Sequence, residues 1–124
     1  MGEIIRLGLV AGRHEMPVEG YVLESVPDVT DIKGIREAVF KSLAQKLGEF
    51  IRVSDFGTCL NQSDYSDVPH AVCDAELHLY VTGLTSVALE VVRFCAFNGV
   101  KLVAYHFDRE TGKYIPQQIF SGCI

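Results

Sequence analysis

The chain has 124 residues, 48% of them hydrophobic, with 16 acidic side chains against 11 Lys and Arg and a formal net charge of −5. This length and apolar content predict one α/β domain, 1–124, with one core, and exclude a disordered chain. The acidic balance and the lack of a basic run exclude a nucleic-acid polymer as partner, and no apolar run approaches the roughly 18 to 20 residues that cross a bilayer.

Ile4 to Val10 reads as a buried first strand, and Gly12 to Pro17 as a loop. A second strand is expected over Gly20–Val26, followed by a capping turn, Pro27–Asp31. From Ile32 to Leu47 apolar residues recur at 32, 35, 39, 40, 43 and 47, the period of an amphipathic helix, with Gly48 as its stop. Phe50 to Val53 reads as a short strand. Ser54–Asp74 is rich in Ser, Asp, Asn and Gly and reads as one long loop.

The second half has a clearer grammar. A short apolar run (Leu77, Leu79, Val81) meets the turn Thr82–Ser86; a nearly all-apolar helix follows at about 85–98; Asn98-Gly99 ends it; and Val100–Phe107 is again strand-like. Strand, turn, helix and strand make a βαβ unit at 77–107, with a right-handed crossover expected. Asp108–Gly112 reads as a hairpin turn with Gly112 left-handed, and Lys113–Phe120 returns antiparallel as an edge strand marked by Pro116. The fold expected is a small Rossmann-like domain with a central mixed sheet and this C-terminal hairpin. The helix at Ser86–Phe97 has few polar positions, so a second subunit is expected as its cover: a homo-oligomer, dimer or higher.

Parallel strands gather their carboxyl ends on one edge, where open α/β sheets bind ligands. The strand ends place Thr82, Gly83, Leu84, Thr85 and Ser86 there, with Phe107 and Arg109, and, if the first strand is parallel, Arg13 and His14. A Gly/Thr/Ser turn feeding a helix presents backbone N–H groups at the positive end of the helix dipole, which suits a phosphate. Thr85 is the expected N-cap. An enzyme built here would use His14 or His106 as base, with Arg13 or Arg109 stabilising charge. No P-loop, HExxH, nucleophile elbow or GxGxxG occurs, so no catalytic residue and no cofactor is assigned. His70 and His78 read as structural. None of the cysteines, Cys59, Cys73, Cys95 and Cys123, falls in a CxxC spacing; a zinc site from Cys59, His70 and Cys73 lacks a close ligand pair, and no metal is expected. Free thiols, and a first segment (MGEIIRLGLVAGRHEM) unlike a signal peptide, point to the cytoplasm.

The strings LVAGRHEMPVEGYVL and YVTGLTSVALEVV, with NGVKLVAYHFDRETGKYIPQ, resemble small phage and prophage proteins, most of all the Thoeris anti-defence sponges of the first type. Such sponges are oligomeric α/β proteins that sequester cyclic ADP-ribose signals, and some also hold cyclic trinucleotides. The resemblance implies a phage-type anti-defence protein of the host cytoplasm, even-numbered assembly up to a hexamer, and the small cyclic nucleotide as ligand. It gives Arg13 and Arg109 to pyrophosphate and Phe107 to adenine. The chain also resembles CRISPR ring nucleases of Rossmann-like fold, which present a similar strand–Thr/Gly–helix edge and cleave their ligand. A third reading is a non-catalytic interaction protein with no small ligand.

Overall fold

The computed structural model describes residues 3–12, 16–54, 70–81 and 83–120, with backbone alone at 53, 54, 70 and 71. Its elements are β1 (Glu3–Val10), β2 (Gly20–Leu23), α1 (Ile32–Leu47), β3 (Ile51–Ser54), β4 (His70–Cys73), β5 (Ala75–Val81), α2 (Thr85–Asn98), β6 (Lys101–Asp108) and β7 (Lys113–Phe120). Five strands form a mixed sheet in the order β2-β1-β5-β6-β7. The first four are mutually parallel, and β7 runs antiparallel to β6. The α/β class, both long helices, the βαβ unit and the C-terminal hairpin are therefore present as the sequence patterns predict.

Three expectations need correction. The second strand ends at Leu23, not Val26: Pro27 and the Asp28–Asp31 turn follow at once, and Asp28 Oδ1 accepts both the Thr30 amide (2.9 Å) and its hydroxyl (2.6 Å). The expected loop Ser54–Asp74 contains a strand, β4, paired antiparallel with β3 in a separate two-stranded sheet. This strand is only four residues long, too short for period-2 alternation to show against the polar stretch before it. Finally, the N-cap of α2 is Leu84; Thr85 is the first helical residue, and its hydroxyl donates to the Gly83 carbonyl at 3.2 Å.

Local chemistry fixes the helices. Asp31 caps α1, its Oδ1 accepting the Gly34 amide at 3.1 Å. Ile35, Val39, Leu43 and Leu47 then fall on the buried stripe. The two helices pack side by side, with Phe40 and Phe94 edge to face at 5.2 Å. Glu90, on the inner side of α2, receives Arg36 Nε at 3.1 Å and its terminal nitrogen at 3.3 Å. A bidentate guanidinium offsets the cost of placing a carboxylate between two helices. The same pair raises the Arg36 pKa, first through the Glu90 hydrogen bond.

Both helices lie on one face of the sheet. Leu7, Leu9, Leu77, Leu79 and Leu102 point to that side and join Val39, Leu43, Val87 and Val91 in the core. The described end of the connection from β1 to β2 lies on the other face, where Met16 and the Tyr21 ring lie against Gly8. The connection steps along the sheet in the opposite direction to the β5–α2–β6 connection. Opposite steps on opposite faces mean one shared handedness, the geometry that a right-twisted strand favours.

The packing of α2 is one-sided. Val87, Val91, Phe94 and Cys95 are buried, whereas Leu89 and Phe97 are 61% and 62% exposed. Arg93 lies 5.1 Å over the Phe97 ring. Burial pushes the Cys95 thiol up to about 12, so it is an inert core group. No helix among the described residues is long and apolar enough to cross a membrane.

Candidate functional site

The connections leave β1 in one direction and β5 in the other, so the sheet has a topological switch between these two neighbours. Crevices for ligands in open α/β sheets form there, at the carboxyl ends of the strands. Two glycines mark the switch: Gly12 just after β1 at φ +82°, and Gly83 just after β5 at φ +101°. Both φ values lie where a side chain is strained, and a Cβ at either position would meet no described residue within 4 Å. The glycines are thus required by backbone conformation and face open space.

Behind Gly83 stands the N-terminus of α2. Its first intrahelical bond runs from the Ala88 amide to the Leu84 carbonyl, 3.1 Å, so the amides of Thr85, Ser86 and Val87 lie ahead of the helical ladder. Among the described residues no side chain caps this end, and its first turn holds no acidic residue. The Ser86 hydroxyl donates instead to the Val29 carbonyl at 3.5 Å, tying the start of α2 to the segment before α1. Within its first turn no acidic side chain compensates the dipole at this end, the condition that favours an anion.

The candidate residues on β6 separate. The last β5–β6 pair is Val81 with His106, so the hairpin runs on past the end of β5. Arg109 sits three residues further, roughly 10 Å beyond that pair at ordinary strand rise. It is exposed and forms no salt bridge with another described residue. Its turn is stiff: Asp108 accepts the Glu110 amide at 3.0 Å and the Thr111 hydroxyl at 2.9 Å, and the Gly112 amide bonds the Asp108 carbonyl at 2.8 Å. Gly112 is left-handed, φ +71°, as its sequence context predicts. Phe107, 52% exposed, packs on Tyr114 at 5.2 Å on the face opposite the helices. His106 points to the helix side, where its Nε2 meets Gln117 Oε1 at 2.8 Å. Strand alternation therefore parts His106 from Phe107, and the two do not share a site.

Gly83, Leu84, Thr85 and Ser86 thus stand at the switch with Gly12, whereas Phe107 lies on the face opposite the helices and Arg109 in the hairpin beyond the end of β5. Arg13, His14 and Thr82 lie outside the described residues, as does Cys59 of the considered zinc set. Among the described residues no group of three or more His, Cys, Asp or Glu side chains is placed to hold a metal ion.

The sequence patterns left unassigned a polar network on the helix-free face. His78 Nε2 lies 2.5 Å from Glu76 Oε2, and its Nδ1 lies 3.0 Å from the Tyr105 hydroxyl. A carboxylate can accept at Nε2 while the phenol lies within hydrogen-bond reach of Nδ1, so both ring nitrogens are engaged. Lys101 Nζ lies 3.4 Å from the other Glu76 oxygen. The hydrogen bond from His78, ahead of the Lys101 charge, holds the Glu76 carboxyl below its usual value. Tyr105 also stacks on Tyr80 at 4.6 Å and 7°, and burial raises the Tyr80 phenol. The signal was the alternation itself: His78 and Tyr80 interleave with Leu77 and Leu79, and Val103, Tyr105 and Phe107 with Leu102 and Ala104.

No family model, curated protein or solved structure matches this chain.

Proposed function

We propose that the chain captures a small cyclic nucleotide at the carboxyl edge of its sheet without cleaving it, and so blunts an immune signal in a phage-type anti-defence role. The observation that carries this reading is the β1/β5 switch, where Gly12 and Gly83 keep open backbone beside the uncapped start of α2. On this reading the mixed α/β sheet is used as a Rossmann-like domain uses its own. The α2 amides take one phosphate, Arg109 reaches back from its hairpin to a second, and Phe107 offers a ring to a base. Arg13 and His14, which follow β1 in the sequence, are the further residues this reading assigns to the ligand. The ligand class is a cyclic ADP-ribose isomer or a cyclic oligonucleotide.

Cleavage requires a base beside the reacting bond. His106 Nε2 is already engaged by Gln117 Oε1 at 2.8 Å, which favours binding over ring opening. The protein is incubated with cyclic ADP-ribose isomers and cyclic di-, tri- and tetranucleotides, separated from free ligand, and denatured by heat. Depletion of one candidate with intact nucleotide released is the expected result. A linear product would assign a ring nuclease instead, with His14 the residue to replace. No depletion of any candidate would overturn nucleotide binding and leave an interaction protein.

A further inference from the structure

Parallel sheets are found with both faces covered, because their strands are buried on each side. Here four parallel strands carry both helices on one face. Among the described residues the other face is crossed only at its β1–β2 edge, by the segment with Met16. Strand register arranges its side chains in rows. One row runs Tyr21, Gly8, Tyr80, Tyr105 and Pro116, with Phe107 and Tyr114 paired beside it. The next holds Arg6, His78, Val103 and Gln118, and beyond it come Ile4, Glu76 and Lys101.

The rings interlock: Tyr80 stacks on Tyr105 and meets Tyr114 edge-on at 4.9 Å. Gly8 leaves room beside them for the Tyr21 ring, since a Cβ there would stand 2.7 Å from it. The charges on this face cancel locally, Arg6 with Glu19 at 3.9 Å and Lys101 with Glu76 at 3.4 Å. A face without net charge, on a chain of −5, repels its own copy least at this surface and offers little to a strongly charged partner.

We infer that this aromatic face packs against the same face of a second copy, forming an isologous interface between two sheets. The four longer strands, β1, β5, β6 and β7, about 4.8 Å apart and roughly 25 Å long, outline about 480 Å² before side-chain relief is added. Stable dimers bury about 800 Å² per partner, the same order. Packed sheets stand about 10 Å apart, so Phe107 and Ile4, exposed in the single chain, would be enclosed. The interface rests on the sheet alone and holds whether or not a nucleotide binds. It also differs from the contact that the apolar surface of α2 suggests.

Sedimentation velocity across a micromolar dilution series tests it. The wild-type particle is expected at twice 13.7 kDa or more. Ile4→Glu with Phe107→Glu alters side chains 39% and 52% exposed in the single chain, so circular dichroism should be unchanged. The pair should weaken association by about a hundredfold or more, the loss expected when two anchors at an interface become buried charges. Leu89→Glu with Phe97→Glu, on the outer side of α2, should leave the particle intact. A wild-type particle of 13.7 kDa, or an unaltered assembly in the Ile4/Phe107 variant, would overturn the inference.

Discussion

The two faces of the central sheet are built from alternate residues of the same strands, yet they cohere by different physics. Toward the helices β5 sends Leu77 and Leu79, each no more than 1% exposed, into a core of Leu, Val and Ile. Away from the helices it sends Glu76, His78 and Tyr80, which are held by directed contacts to Lys101 and Tyr105. The first face is stabilised by area and shape, and tolerates nothing smaller. The second depends on geometry: each partner is chosen by hydrogen-bond role or ring orientation, and its strength varies with pH. A period of two in the strands therefore carries two unrelated chemistries, and reading only the apolar half recovers the core while missing the other face.

Replacements ranked by expected effect sharpen the contrast. Leu77→Ala or Leu102→Ala, at side chains with no exposure, should cost about 2–5 kcal/mol by lost transfer energy and the cavity left behind. Urea unfolding measures it, and a loss below 1 kcal/mol would mean that the helix-side core collapses around the gap. On the other face, Gly8→Ala drives a methyl into the Tyr21 ring and should cost about 1–3 kcal/mol through overpacking. An added Tyr21→Ala should recover part of this loss. Without recovery, the Gly8–Tyr21 approach is not what limits the site.

Tyr105→Phe keeps the ring stack on Tyr80 but leaves His78 Nδ1 without its phenol. A loss of about 1 kcal/mol is expected, smaller than for either leucine. Glu76→Gln produces a change in slope. The folded Glu76 carboxyl titrates below its ordinary 4.5, so its contribution is present above that pH and is lost as pH falls through the lowered value. Wild-type stability should therefore drop more steeply below pH 4.5 than that of Glu76→Gln. Parallel acid curves for the two proteins would remove Glu76 from the network.

Much of this fold was legible because its signals are local and repeated. The period at Ile32–Leu47, the Asp31 cap, the Asn98-Gly99 stop and the Gly112 turn each announce themselves within a few residues. The strand His70–Cys73 was hidden because its partner, Ile51–Ser54, is remote and both are four residues long. The candidate site was legible at Gly83–Ser86, where strand, glycine and helix meet. Its division was not: whether His106 and Phe107 share a side depends on strand parity, and sequence proximity placed them together. The cap was misassigned to Thr85 because hydroxyl residues usually hold that place, whereas here the hydroxyl turns back to the Gly83 carbonyl. The Tyr80–Tyr105 stack needed strand register, since the two residues lie on different strands and meet only when β5 and β6 align.

The central claim concerns where a nucleotide sits. Backbone amide NMR with the nucleotide depleted in the capture experiment addresses it residue by residue. Saturating ligand should shift the Gly12, Gly83, Leu84, Thr85 and Ser86 amides most, with smaller shifts at Phe107 and Arg109, and leave those of α1 unmoved. Arg109→Ala should keep the same pattern while weakening affinity roughly tenfold to a hundredfold, the loss of one charged hydrogen bond. Shifts centred on the His78–Tyr105 network or on the outer side of α2, with Gly83 to Ser86 silent, would contradict the account.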